Sequence, residues 1–303
     1  MNNNLVKRFL DYSEIRTKIT SVLTFLFVLA YLFAAGIGIR ALPTVLFFCG
    51  MFLFDLAVTT INNYSDTRKN GQELQFRRPA ALAVTISLLL LALAFAVWLV
   101  FVTDLAVLLL GGLCFLFGVL YSFGPVPISH GPYGELISGV FYGFFIPVIL
   151  IYINAPSGWL FSWSLSGRDL AFALDVRNAA GVALLAVTPT CLTANIMLAN
   201  NICDVDRDVL VGRFTLPYYL KKHSLYLLAL LYYLPYLAAI AMVMMRYVSP
   251  ICLVLLLTII PVQRNINLFF KKQVKAETFI VSIRNFIIVI VAQAALILIG
   301  RFM

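Results

Sequence analysis

Nine stretches of this chain are each long and apolar enough to cross a lipid bilayer, and that property decides the fold class. A bilayer core takes roughly 20 apolar residues per helix. Inside it every backbone N–H and C=O must be satisfied within the spanning structure. Segments of that length fall near 19–39, 41–61, 80–101, 104–122, 135–153, 179–199, 224–245, 249–269 and 278–300. The expected fold is therefore an all-α integral membrane protein, a single bundle of nine transmembrane helices. Composition agrees: 62% of the residues are hydrophobic and 12% charged, against about 45–50% and 25% in soluble domains. Disorder, a secreted disulfide scaffold and an ordinary cytosolic enzyme are excluded. The first stretch is too long for a signal-peptide core and has no A-x-A cleavage site, so it is expected to remain as a helix. The five cysteines are scattered without C-x-x-C pairing and read as small buried apolar residues.

The net charge of +9 belongs to the membrane rather than to nucleic acid. Lys7, Arg8, Arg16 and Lys18 precede span 1, and Arg68, Lys69, Arg77 and Arg78 follow span 2. Arg207, Arg213, Lys221 and Lys222 follow span 6, and Lys271, Lys272 and Lys275 follow span 8. All of these share one side; the opposite side holds only Arg40, Arg168, Arg177, Arg246 and Arg301. The positive-inside rule puts the N-terminus in the cytoplasm and, with nine spans, the C-terminus outside. The outer segment 154–178, with Trp159 and Trp163, reads as an interfacial loop held by aromatic anchors.

Two loops on the basic side carry related strings. Span 2 leads into Asn62-Asn63-Tyr64-Ser65-Asp66 and on to Asn70; span 6 leads into Asn200-Asn201-Ile202-Cys203-Asp204 and on to Asp208. Both fit N-N-x-x-D-x-x-x-[D/N], four spans apart, and so can face each other across a bundle. They divide the domain into motif-bearing halves, about 19–134 and 135–245, with two further spans behind. If the helices continue past the membrane surface, positions i, i+4 and i+8 share a face. Asn62, Asp66 and Asn70 then form one oxygen-rich stripe, and Asn200, Asp204 and Asp208 another. Hard oxygen ligands without a His or Cys cluster suit Mg²⁺, which is typically held by one or two carboxylates plus substrate phosphates. Two like charges about 4 Å apart cost roughly 4 kcal/mol at an effective dielectric near 20. Carboxylates can therefore meet a diphosphate only with divalent ions between them. A diphosphate at the membrane surface, opening onto a greasy bundle, describes a polyprenyl diphosphate.

The motif pair resembles the UbiA-type membrane prenyltransferases, and within them the dihydroxynaphthoate polyprenyltransferase branch of menaquinone synthesis. Besides the two motifs, the likeness rests on Gly212-Arg213-Phe214-Thr215-Leu216 and on the loop from Tyr121 to Glu135. Three positions depart from the pattern: Asn63 stands for an Asp, Asn70 for an acid and Cys203 for an Arg. The resemblance implies Mg-dependent transfer of the prenyl group to an electron-rich aromatic acceptor, 1,4-dihydroxy-2-naphthoate first and 4-hydroxybenzoate as the alternative. It implies Asp66, Asp204 and Asp208 as metal-holding catalytic residues, with Arg213 and Lys69 on the leaving diphosphate. The alternative from another class is a transporter, which would place charges at the bilayer midplane.

Other residues are less determined. Tyr121 ends span 4 as an interfacial anchor or, on the resemblance, as a group facing the substrate. Arg16 precedes span 1 as a lipid-facing anchor or a substrate contact. Glu135 is expected to complement a helix N-terminus. Asp55 lies inside span 2, where an acid is expensive unless it faces a polar cavity. It shares a helix face with Asn62 to within about 20°. It is expected to point into the cavity and orient the acceptor's hydroxyls, a hydrogen bond to another span being the alternative. Arg284, roughly two turns into span 9, carries the same alternatives as Asp55, and His130 and His223 sit in loops without a metal pattern.

Overall fold

The computed structural model describes residues 5–70, 73–124 and 127–303, excluding the side chains of 68–70 and 170. Among the described residues, nine helices are long and apolar enough to span a membrane. Spans 1 to 5 run Ile15–Ala34, Ala41–Thr67, Arg78–Val102, Leu105–Ser122 and Gly134–Asn154. Spans 6 to 9 run Val176–Leu210, His223–Met244, Pro250–Lys271 and Ile280–Gly300. Their starts are written in the sequence. Pro79 sits in the first turn of span 3, where its missing N–H costs nothing. Asp104 caps span 4 through the amides of Ala106 and Val107, and Asp175 caps span 6 through that of Asn178. The helices carrying spans 2 and 6 are the long ones, at 30 and 35 residues. Each overruns the roughly 20 residues a bilayer needs, so both motifs are helical as expected.

The segment between spans 5 and 6 differs from the expected loop. Phe161–Ser166 (β1) and Asp169–Leu174 (β2) form an antiparallel hairpin. The pattern is strict alternation: Phe161, Trp163 and Leu165 on one face, Ser162, Ser164 and Ser166 on the other. Gly167, at φ 63°, supplies the left-handed first position of the two-residue turn.

Span 2 packs along span 3, span 6 along spans 5 and 7, and span 9 against span 1. The closest approach is between spans 5 and 6. A Cβ on Gly143 would lie 2.1 Å from the Thr190 nitrogen, and one on Gly139 2.9 Å from the Thr190 carbonyl oxygen. This small-x-x-x-small pair lets two backbones touch, at the turn of span 6 that contains Pro189. There span 5 loosens into a single π-helical turn, Phe141–Phe145, which re-aims its aromatic side chains.

Candidate active site

Spans 1 to 6 line a cavity of about 680 Å³, bordered also by Lys275 and Phe279 between spans 8 and 9. Its deeper wall is apolar, built from Phe54, Phe115, Phe117, Phe141 and Phe145. Polar groups concentrate at the end where the two motifs meet.

Each motif sends its first Asn and its Asp inward. Asn62 and Asp66 border the cavity from span 2, and Asn200, Asp204 and Asp208 from span 6. The second Asn of each pair also borders it, but its amide nitrogen is spent on a neighbour. Asn63 Nδ2 donates to the Tyr12 carbonyl at 2.9 Å and to Glu14 Oε1 at 3.2 Å. Asn201 Nδ2 donates to Glu135 Oε1 at 2.8 Å. These two residues, expected with their neighbours as substrate contacts, border the cavity and also tie the N-terminal segment and span 5 to the motif helices. Glu135, in the first turn of its helix, is buried and serves as that tie.

The acids are matched by cations from distant segments. Asp66 Oδ2 lies 3.1 Å from Arg213 Nη1, with His130 Nε2 3.9 Å from Oδ1. Asp204 pairs with Lys275. Arg213 arrives there through the end of span 6. The amide of Gly212, at φ 75°, donates to the Val209 carbonyl at 3.1 Å, and that of Arg213 to Asp208 at 2.8 Å. This is a Schellman turn, and it folds the chain back over the motif it has just completed. The Phe214 amide then donates to the His130 carbonyl at 2.9 Å, bringing the loop after span 4 to the same place. Among the described residues, Arg213 Nε and Asn62 Oδ1 are buried here without a protein partner.

Asp55 faces the cavity as expected, but its oxygens are occupied by Lys18, Ser21 and Tyr142. Tyr121 also borders the cavity, with its hydroxyl 3.5 Å from Met197 Sδ. Arg16 does not; it is exposed, and the cavity's basic residue from that turn is Lys18. Two residues apart on a helix of three residues per turn, the two point about 120° apart. The side chains of Lys69 and Asn70 lie outside the described residues. His223 and Arg284 are exposed and off the cavity wall. Sequence reasoning missed Lys18, Tyr142, His130 and Lys275; only the basic clustering around Lys18 and Lys275 gave any signal.

Residues 21–286 match the UbiA prenyltransferase family. The chain belongs to that family. This UbiA-family protein has the membrane-length helices of an integral membrane protein. It is 29% identical over 143 residues to a 1,4-dihydroxy-2-naphthoate octaprenyltransferase of Bacillus subtilis. That match covers 47% of this chain and only 40% of the relative. Solved membrane structures share the fold over nearly the whole length. A digeranylgeranylglyceryl phosphate synthase superposes with a TM-score of 0.65 at 18% identity, covering 98% of both chains. A UbiA homolog from Archaeoglobus fulgidus, bound to GPP and Mg²⁺, gives 0.62 at 14% identity, covering 97% of this chain and 98% of that one.

The donor set can be tested against a metal. Among the described residues no three His, Cys, Asp or Glu side chains are grouped closely enough to cage an ion. That fits Mg²⁺ carried with a substrate, since such ions take one or two carboxylates and complete their shell with phosphate oxygens and water. The orphaned Arg213 Nε and the carboxylates bordering one cavity suit such a polyanion–cation complex.

Proposed function

We propose that this enzyme transfers a polyprenyl group from polyprenyl diphosphate to an aromatic acceptor, foremost 1,4-dihydroxy-2-naphthoate, with loss of carbon dioxide and diphosphate to give a demethylmenaquinol, the reduced form of demethylmenaquinone. One observation carries the reading: paired acids and cations ring one end of a cavity whose other end is aromatic and aliphatic. That polarity fits a diphosphate head and a prenyl tail. Asp66, Asp204 and Asp208 would hold Mg²⁺, which when bound neutralises the leaving diphosphate. Arg213, with an unused Nε, donates to diphosphate oxygens as negative charge builds there. Lys275 adds positive charge at the same end, and Asn62 and Asn200 offer amide groups to the head; the role the resemblance implies for Lys69 on the diphosphate belongs to the same proposal. Tyr121 lines the passage inward. The apolar wall excludes water from the allylic cation, which an electron-rich ring then captures. The clustered basic residues support a cytoplasmic N-terminus and a site opening to the cytoplasmic side, and the menaquinone reading suits a bacterial cytoplasmic membrane.

The deciding experiment incubates purified protein with Mg²⁺, labelled geranylgeranyl diphosphate and a panel including 1,4-dihydroxy-2-naphthoate and 4-hydroxybenzoate. Prenylated, decarboxylated naphthol is the expected product. Label on hydroxybenzoate alone would change the acceptor, and label on no aromatic acid would refute the reading.

A further inference from the structure

One carboxylate in the cavity wall, away from the diphosphate end, holds three donors at once. Lys18 Nζ donates to Asp55 Oδ1 at 2.7 Å, the Ser21 hydroxyl to Oδ2 at 2.6 Å, and the Tyr142 hydroxyl to Oδ1 at 2.7 Å. Lys18 also donates to the Asp55 carbonyl at 3.1 Å and to the Thr59 hydroxyl. Both charged side chains are only 4% exposed. The donors come from spans 1 and 5, Asp55 and Thr59 from span 2, and all of these residues border the cavity.

Counting hydrogens fixes what this cluster offers a ligand. An ammonium has three protons, and those of Lys18 have three oxygen partners. Asp55 Oδ1 accepts twice, from Lys18 and Tyr142, and Oδ2 once, from Ser21. A phenol has one proton and spare lone pairs; the Tyr142 proton is held by Asp55. Its oxygen is therefore left as an acceptor bordering the cavity. An ether, ketone or carboxylate gives such an oxygen nothing, whereas a hydroxyl donates to it. The surrounding wall is aromatic, with Phe141 and Phe145 stacked at 4.8 Å between ring centroids. A flat ring bearing a hydroxyl matches both features.

The depth also matches. Asp55 and Asp66 lie eleven residues apart on the same helix, about 16 Å at 1.5 Å per residue and on nearly the same face. That distance accommodates a diphosphate and a fused aromatic ring end to end.

We propose that Tyr142 reads the acceptor, accepting a hydrogen bond from a phenolic hydroxyl, and that Asp55 and Lys18 are positioning residues that fix the direction of its proton. This rests on the prenyl-transfer reading and extends it, moving the hydroxyl contact from Asp55 itself to Tyr142. The hydrogen bond strengthens as the ring donates electron density to the allylic carbon, because the hydroxyl becomes more acidic on attack.

The test compares 4-hydroxy-2-naphthoate with 4-methoxy-2-naphthoate, binding each to detergent-purified protein by equilibrium titration. The wild type should bind the hydroxy compound at least tenfold tighter. Tyr142→Phe should bring the two within twofold of each other while leaving geranylgeranyl diphosphate affinity within twofold. Lys18 and Tyr142 share Asp55 Oδ1, so the acceptor is removed together with the ammonium: the double variant Lys18→Met, Asp55→Leu frees the Tyr142 proton toward the cavity, and the methoxy compound should bind tighter there than in the wild type. Absence of discrimination in the wild type, a tenfold preference surviving in Tyr142→Phe, or an unchanged ratio in the double variant would each overturn the proposal. The double variant decides alone if Tyr142→Phe does not fold. Failure of the prenyl-transfer reading shows separately, as absence of turnover with every aromatic acid.

Discussion

Replacing three neighbouring acids one at a time isolates direction from charge. Asp204, Asp206 and Asp208 stand on one continuous helix, Val176–Leu210. At 100° per residue, Asp206 points roughly 160° away from both of the others. Asp204 and Asp208 border the cavity; Asp206 is exposed and does not. A carboxylate about 4 Å from a divalent ion is worth roughly 4 kcal/mol per unit charge at an effective dielectric near 20. At 1.36 kcal/mol per decade that is up to about a thousandfold in rate. Asp206 acts from across a helix about 10 Å wide, through water and beyond a screening length of about 8 Å. Its contribution should stay below about 0.5 kcal/mol. Asp204→Asn and Asp208→Asn should therefore each lower kcat/KM by about 10²–10³, and Asp206→Asn by less than threefold. The assay is initial-rate prenylation in detergent at saturating Mg²⁺, with each variant's folding checked by gel filtration. Folding is not expected to interfere at Asp204, because its partner Lys275 is half exposed and stays solvated when the pair is broken. If Asp206→Asn loses as much activity as Asp204→Asn, net charge at this surface is what matters, and the assignment of ligands to one helix face is wrong.

Chelation should abolish turnover and added Mg²⁺ restore it, since carboxylates and diphosphate repel without a cation; undiminished activity in excess EDTA would sink the metal reading. Gly143→Ala should lower the melting temperature sharply or prevent folding, because its Cβ would lie 2.1 Å from backbone of span 6 and overpacking costs about 1–3 kcal/mol or more. Gly111→Ala, with nothing within 4 Å of the new atom, is the matched control and should melt like the parent. Asp55→Leu should destabilise by about 3–5 kcal/mol, because it strands a buried ammonium, and Lys18→Met added to it should recover most of the loss in a thermal-melt cycle. If the double variant is no more stable than Asp55→Leu alone, the two charges do not depend on one another.

What could be read from the chain follows the range over which each signal acts. The spans, the helical continuation of both motifs and the inward turn of Asn62, Asp66, Asn200, Asp204 and Asp208 depend on a local period of 3.6, and all were legible. The hairpin was equally local: Phe161, Trp163 and Leu165 alternate with serines before Gly167. It was obscured because aromatic residues near a membrane surface also suit an interfacial loop. Arg16 and Lys18 differ only in where a 3₁₀ turn begins, and element boundaries are the least determined part of a sequence reading. The partners of the acids were illegible for another reason. Lys275 meets Asp204 across 71 residues and Arg213 meets Asp66 across 147, separations at which sequence spacing carries no distance. Both nevertheless came from the basic clusters that the positive-inside pattern gathers on one side. The rule that orients the helices thus also supplies the cations that the acidic motifs hold, so topology and candidate site rest on the same residues.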